Sequence, residues 1–472
     1  MESTDHDASI LLSFPRLPGV SWRRAGILAL LLVSATPAVQ AYSVLTHEAI
    51  VDSAWDDSIK PLLIRRFPQA TAPDLAHAHA YAYAGCIIQD MGYYPFGSRF
   101  FSDLVHYVRS GDFIVNLVRG AQDLDEYAFA LGALAHFAAD TEGHSVAVNR
   151  AVALQYPKLA RKYGDSVTYA NKPSAHMRVE FGFDVLRVAQ GNYAPQAYHD
   201  FIGFEVARPL LERAFRQTYS LELTSVFSDL DLALSTYRHT VSSLIPTATR
   251  AAWNMKKTEL QALQPGITRG QFVYNLSRAS YRKEWKGNYR EPGIGARLLS
   301  FLVRILPKIG PLKVFAFLAP TRQTDQLFQS SFDRTLNVYR GLLGDEGGGR
   351  LAVPDRDFDT GAATRPGEYT LADNAYCELA IRLAKEAPAD VDPQLRANVL
   401  EFFHDLNQPF ATKSNASQWR ATLAALDKLK DAGSARESMG FTLEIPPGCG
   451  RQNARERVRR SRDPNEAGLA DG

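Results

Sequence analysis

The chain has 472 residues, 46% hydrophobic and 22% charged, which excludes a mainly disordered chain, a collagen-like chain and a polytopic membrane protein. Its 53 basic and 51 acidic residues nearly cancel to a net +2, which argues against a strongly cationic nucleic-acid binder, and no stable nucleic-acid partner is expected. Cys86, Cys377 and Cys449 lie far apart with no CxxC spacing, so they read as buried or loose thiols rather than a disulfide framework.

Residues 1–41 read as an export signal. Arg23 and Arg24 form a basic region, Ile27 to Val33 a short apolar run, and Val39-Gln40-Ala41 a small-residue cleavage site. The apolar run falls short of the roughly 20 residues that span a bilayer. The expected location is therefore outside the cytoplasm, periplasmic or secreted. Cleavage after Ala41 would leave Tyr42 as the first residue, with a free α-amine able to bind metal.

The body reads as helical throughout. Ser43 to Trp55, His79 to Gln89, Leu124 to Ala139, Ser174 to Ala189 and Ala207 to Thr218 carry apolar residues at three- and four-residue spacing. Period-two strand patterns are rare, so the expected class is all-α. Leu298 to Ala319 is apolar with Arg304, Lys308 and Lys313 interspersed and is broken by Pro307 and Pro311. It reads either as a core helix pair or as a segment lying on a membrane surface. GDEGGGR at 344–350 reads as a flexible linker. Helices from about Leu371 to Leu429 follow inside an extension over 351–445, with packing as their job and no chemical motif. The polar, basic tail over 446–472 is expected to be disordered.

One stretch carries chemistry. In HFAADTEGH, His136, Asp140 and His144 follow at steps of four, and His176 and Glu180 repeat the step. On a helix, side chains at i and i+4 share a face and can converge on an ion. Chance yields about 1.2 His-x3-acid pairs in a chain of this composition, but only about 0.03 of the triplet. On a straight helix His136 and His144 would lie roughly 12 Å apart at Cα, too far to share one ion with bonds of about 2 Å. Asp140 between them is placed to bridge two ions, and Gly143 offers a point to end the helix and turn His144 elsewhere. His47 on the first mature helix, Asp90 in a loop exposed by Gly92 and Pro95, and His106 on the apolar stretch DLVHY complete the candidates.

In this order the residues resemble the zinc-dependent phospholipase C family, whose fold is shared by the single-strand-specific S1/P1-type nucleases. The resemblance covers roughly Tyr42 to Ala189 and implies a helical catalytic domain over 42–343 with a C-terminal helical extension. It implies nine metal ligands, Tyr42, His47, Asp90, His106, His136, Asp140, His144, His176 and Glu180, and three Zn2+ ions. One ion would take Asp90, His106, His136 and Asp140. A second would take Asp140 as bridge, His47, and the amine and carbonyl of Tyr42. The third would take His144, His176 and Glu180.

Three positions depart from the family pattern. Tyr42 stands where members usually begin with Trp. Leu45 stands where the choline-type branch has Glu, and Met91 where that branch has Tyr, which counts against phosphocholine recognition. Tyr93, Tyr94 and Tyr107 read as headgroup- or base-stacking surfaces or as core. The implied reaction is hydrolysis of a phospholipid phosphodiester by zinc-activated water, with Asp90 orienting or deprotonating that water and with peripheral contact to a membrane surface. The alternatives are an exported S1/P1-type nuclease or nucleotidase, favoured by the five-residue step from Tyr42 to His47, and a non-catalytic zinc-binding protein.

Overall fold

The computed structural model describes residues 44–190, 204–241, 257–258, 261, 266, 317–386 and 388–438. The signal segment, Tyr42, Cys449, residues 298–316 and the 446–472 tail lie outside the described residues. Among those described, the chain is helical, and its one extended pairing is an isolated bridge between Arg356 and Ala363. None of the described helices is long and apolar enough to cross a membrane.

The central element is α5 (Leu124–Gly143), which is buried on nearly every face. Its sequence explains that placement, since Ala, Leu, Phe and Gly dominate it and an all-round apolar helix belongs inside a core. Asp123 caps its start by accepting from the Glu126 N–H at 2.8 Å.

Packed across α5 is α2 (Ala72–Gly85). It begins earlier than the apolar spacing indicates, because Thr71 and Asp74 form a capping box with Pro73 in the first turn. The crossing is very close. A Cβ on Gly132 would fall 2.1 Å from the Ala82 carbonyl oxygen, and one on Gly85 would fall 2.1 Å from that of Phe129. Both positions therefore need glycine for contact distance. The same crossing brings the Cys86 carbonyl within 2.9 Å of His136 Nδ1.

Around this pair lie α1 (Val44–Ala54), α3 (Arg99–Tyr107), α4 (Ser110–Gly120), α6 (Asn149–Gln155), α7 (Pro173–Gln190), α8 (Arg208–Tyr219) and α9 (Leu230–His239). On α7 His176, Val179, Glu180, Phe183, Asp184 and Arg187 follow one another at steps of three and four along one buried face, and Ala175, Val185 and Leu186 beside them are buried too. Buried tyrosines tie the layers together. Tyr219 donates to the Val108 carbonyl at 2.9 Å, Tyr237 to that of Ala84 at 2.8 Å, and Tyr339 to that of Leu131 at 2.9 Å.

The expected linker at 344–350 is largely helix. α10 (Arg322–Gly347) runs through 344–347 and stops only where the Gly348 N–H turns back to the carbonyls of Gly344 and Asp345. Tyr339 and Leu343, buried against the core, hold the last turns in place against the low helix propensity of the glycines. Beyond it come α11 (Thr370–Glu386), α12 (Pro393–Phe402) and α13 (Ala416–Ser438). α11 packs on α3, and one continuous apolar core includes residues from Val44 to Leu429. Cys86 and Cys377 are free and buried, as expected of such thiols.

Candidate metal centre

Eight of the nine expected ligands are described, and all eight are buried beside one another in three groups. Donor atoms of His47, His136 and Asp140 lie within 4.8 Å of one another, as do those of Asp90, His106 and His136, and those of His144, His176 and Glu180. Asp140 joins the first two groups. Its Oδ1 lies 3.4 Å from His47 Nε2, and its Oδ2 lies 3.1 Å from His136 Nε2 and 3.6 Å from His106 Nε2. His136 belongs to the first two groups and His144 to the third.

Two expectations need correction. Asp90 is not on an exposed loop lip. It sits in a 3-10 turn (Ile88–Tyr93), 2% exposed, because Gly92 lies hard against the Ser98 carbonyl and Ser102 bridges the Gln89 carbonyl and the Gly92 N–H. Gly143 is the last residue of α5, but the helical path does not break there. The chain continues through a wider π turn (His144–Val148) into α6, and His144 Nε2 lies 3.5 Å from Glu180 Oε1 on α7.

The imidazoles are held by their second ring nitrogens. His106 Nδ1 donates to the Ser102 carbonyl at 2.8 Å, His136 Nδ1 to that of Cys86 at 2.9 Å, and His144 Nδ1 to that of Phe358 at 3.2 Å. His176 reverses the pattern, with Nε2 donating to Asn149 Oδ1 at 2.9 Å and Nδ1 turned to its group. The inward atoms make no hydrogen bond. Asp90 Oδ1, His106 Nε2, His136 Nε2, both Asp140 oxygens, His176 Nδ1 and Glu180 Oε1 are all buried without one. Buried polar atoms are rarely left so, and imidazole nitrogens and carboxylate oxygens are ligands of the kind zinc prefers. The residues fit the metal.

Charge within the centre is strongly coupled. Burial pushes the Asp90 carboxyl up, against the pull of His106. Burial would also raise Asp140, but the charges of His136 and His144 outweigh it and hold that carboxyl well below the usual range. Burial lowers His47 well below its ordinary value, helped by His136. Burial acts to lower His106 too, yet the Asp140 and Asp90 carboxylates push it up to about 10.

The His106 shift sets a pH dependence. A histidine near 6.5 when unfolded and about 10 when folded contributes stability that is complete below 6.5 and lost as pH rises through 10. A bound metal displaces that proton. Thermal melts of metal-free protein should therefore fall between pH 7 and 10, while those of zinc-loaded protein should not show this decline. Parallel curves for the two forms would sink the assignment of His106 as a ligand.

Residues 46–229 match the family model described as zinc dependent phospholipase C. These residues belong to the zinc-dependent phospholipase C family. The segment spans every described ligand and is a zinc-dependent phosphodiester hydrolase domain of the phospholipase C type. No curated protein and no solved structure gives a significant match to the chain.

The sequence reading named no candidate site residue after Glu180, and the structure adds one. Asp359 lies 3.2 Å through Oδ1 from His144 Nδ1 and accepts from the hydroxyls of Tyr107, at 2.8 Å, and Tyr369. Tyr107 is thereby a structural donor. Tyr94 packs edge-on against Tyr237, in the core. Only Tyr93 of the three combines a buried hydroxyl lacking a hydrogen bond with a ring beside His106, centroids 6.0 Å apart.

Proposed function

We propose that the protein is an exported phospholipase C-type hydrolase that binds three zinc ions and cleaves the phosphodiester of a phospholipid. The burial of three His/carboxylate groups, two of them in contact with Asp140, carries this reading. When bound, zinc neutralises phosphate oxygens and lowers the pKa of a water, which is what an anionic diester requires. Asp90 is the carboxylate for orienting that water and taking its proton, since burial favours its protonated form. The Tyr93 hydroxyl is free to donate to a phosphate oxygen.

The start of the chain supports the amino-terminal ligand. The Leu45 N–H and the Thr46 hydroxyl both donate to Asp184, at 3.1 and 2.6 Å, one helical turn beyond Glu180. They fasten α1 to the ligand-bearing helix, and Tyr42 is two residues before its first residue. Cleavage after Ala41 would give Tyr42 the amine that the second ion uses, and export is the setting in which that cleavage occurs.

A lipid surface is favoured over a nucleic acid by Phe96. It is 51% exposed in a left-handed conformation (φ 64°), three residues after Tyr93. Leu232, 39% exposed, lies on α9 one turn before Thr236, which holds the Pro95 carbonyl. Exposed apolar side chains on two elements joined by the Thr236–Pro95 hydrogen bond suit a bilayer interface. The test is hydrolysis of phospholipid vesicles and of single-stranded DNA by zinc-loaded mature protein. Release of a water-soluble phosphomonoester from vesicles is expected, with vesicle binding weakened several-fold by Phe96→Ser. Release of nucleotides with no lipid cleavage would overturn the lipid reading in favour of the nuclease one.

A further inference from the structure

Residues 351–363 lie outside the segment that matches the family, yet they close the third metal group. Their path is fixed from several sides. Asp355 Oδ1 accepts from the N–H groups of Gly111 and Asp112 at the start of α4, at 2.9 and 3.2 Å. Ser110 and Arg356 exchange hydrogen bonds of 2.7 and 3.0 Å. The Phe358 ring lies 4.9 Å from His106 and 5.4 Å from Phe137 by centroid, and its N–H donates to the His106 carbonyl. Gly361 turns with φ 69°, and a Cβ there would stand 2.3 Å from the Thr141 carbonyl oxygen.

This path delivers one carboxylate to one imidazole. Asp359 is 2% exposed, its N–H donates to Asp357 Oδ1 at 2.8 Å, and its carbonyl accepts from Asn149 Nδ2 at 2.7 Å. Asn149 is the residue whose Oδ1 holds His176, so both histidines of the third group are oriented through the same short segment. The two tyrosine hydroxyls occupy Oδ2, which leaves Oδ1 for His144, whose Nδ1 proton it shares with the neighbouring Phe358 carbonyl, each at 3.2 Å.

We propose that Asp359 is the positioning residue of the third metal group, fixing His144 with its Nδ1 proton outward and its Nε2 presented to the ion. This rests on the reading that His144, His176 and Glu180 hold an ion. A carboxylate behind a ligating imidazole fixes its tautomer and raises its basicity, and its loss typically weakens metal binding about ten- to a hundred-fold. The site would then depend on a residue 215 positions from its histidine, since 359 − 144 = 215.

The test is titration of the metal-free full chain with Co2+ against a competing chelator, followed by ligand-field absorption, with zinc counted separately. Asp359→Asn keeps the shape and removes the charge. It should weaken one ion about ten- to a hundred-fold and leave the others at wild-type affinity, and Asp359→Glu should restore part of the loss. Tyr369→Phe removes one donor from Oδ2 and keeps the carboxylate. It should weaken the same ion by less than about tenfold, and it decides the matter if Asp359→Asn does not fold. Wild-type affinities in Asp359→Asn, or in Tyr369→Phe where only that variant folds, overturn the proposal, as does an equal loss of every ion. Equal ion counts in wild type and His144→Ala overturn the metal reading of this group and the proposal with it.

Discussion

Asp140→Ala should remove roughly two of the three proposed ions and lower turnover at least about a thousand-fold. Asp140 is fully buried, and its two oxygens face His47, His106 and His136 at 3.1 to 3.6 Å. Its two oxygens thus contact imidazoles of both groups, which also share His136. Its loss leaves three buried imidazoles around a missing negative charge, an arrangement that disfavours bound cations. The third group shares no donor with the other two, so one ion should stay. Metal analysis of the variant beside its steady-state rate checks both statements. A full complement of zinc in Asp140→Ala would show that the first two groups do not share a bridge.

The parts of this centre that were legible in the sequence are those carried by helical spacing. His136 and Asp140 on α5, and His176 and Glu180 on α7, face one another because four residues make slightly more than one turn. The all-α class was legible for the same reason, since the pattern of apolar residues has one period along the chain. Asp90 and His106 could be ordered but not placed. Their contact at 3.4 Å depends on Ser102 and Gly92 folding the 3-10 turn onto α3, and no periodicity encodes that.

Asp359 was illegible because it acts through the fold. No spacing relates it to His144, and its neighbours Tyr107 and Tyr369 are equally remote from each other in the chain. The one local signal is the acidic run Asp355-Arg-Asp-Phe-Asp359 between Pro354 and Gly361. Alternating carboxylates held between turn residues suggest a tight turn that spends its side chains on backbone N–H groups, as Asp355 and Asp357 do. The reading of 344–350 as a linker failed on similar grounds. Glycine count lowers intrinsic propensity, but burial of Tyr339 and Leu343 decides where α10 ends.

Asp90→Asn should lower kcat about a hundred- to ten-thousand-fold, far more than any loss of zinc. The substitution keeps the size of the side chain and an oxygen able to approach the ion, so the 3-10 turn and the fold should persist. What it removes is a group that can take a proton. Asp90 is suited to that task because burial raises its carboxyl while His106, 3.4 Å away, keeps the charged form accessible. The other carboxylate at the paired groups, Asp140, is held well below the usual range and is a poor base. Two acids a few ångströms apart are thus driven in opposite directions, one toward proton transfer and one toward permanent charge. Rate and zinc content measured on the same Asp90→Asn sample separate the two roles of this residue. A rate that falls only in proportion to zinc would make Asp90 a ligand alone, and a rate near wild type would remove it from the chemistry.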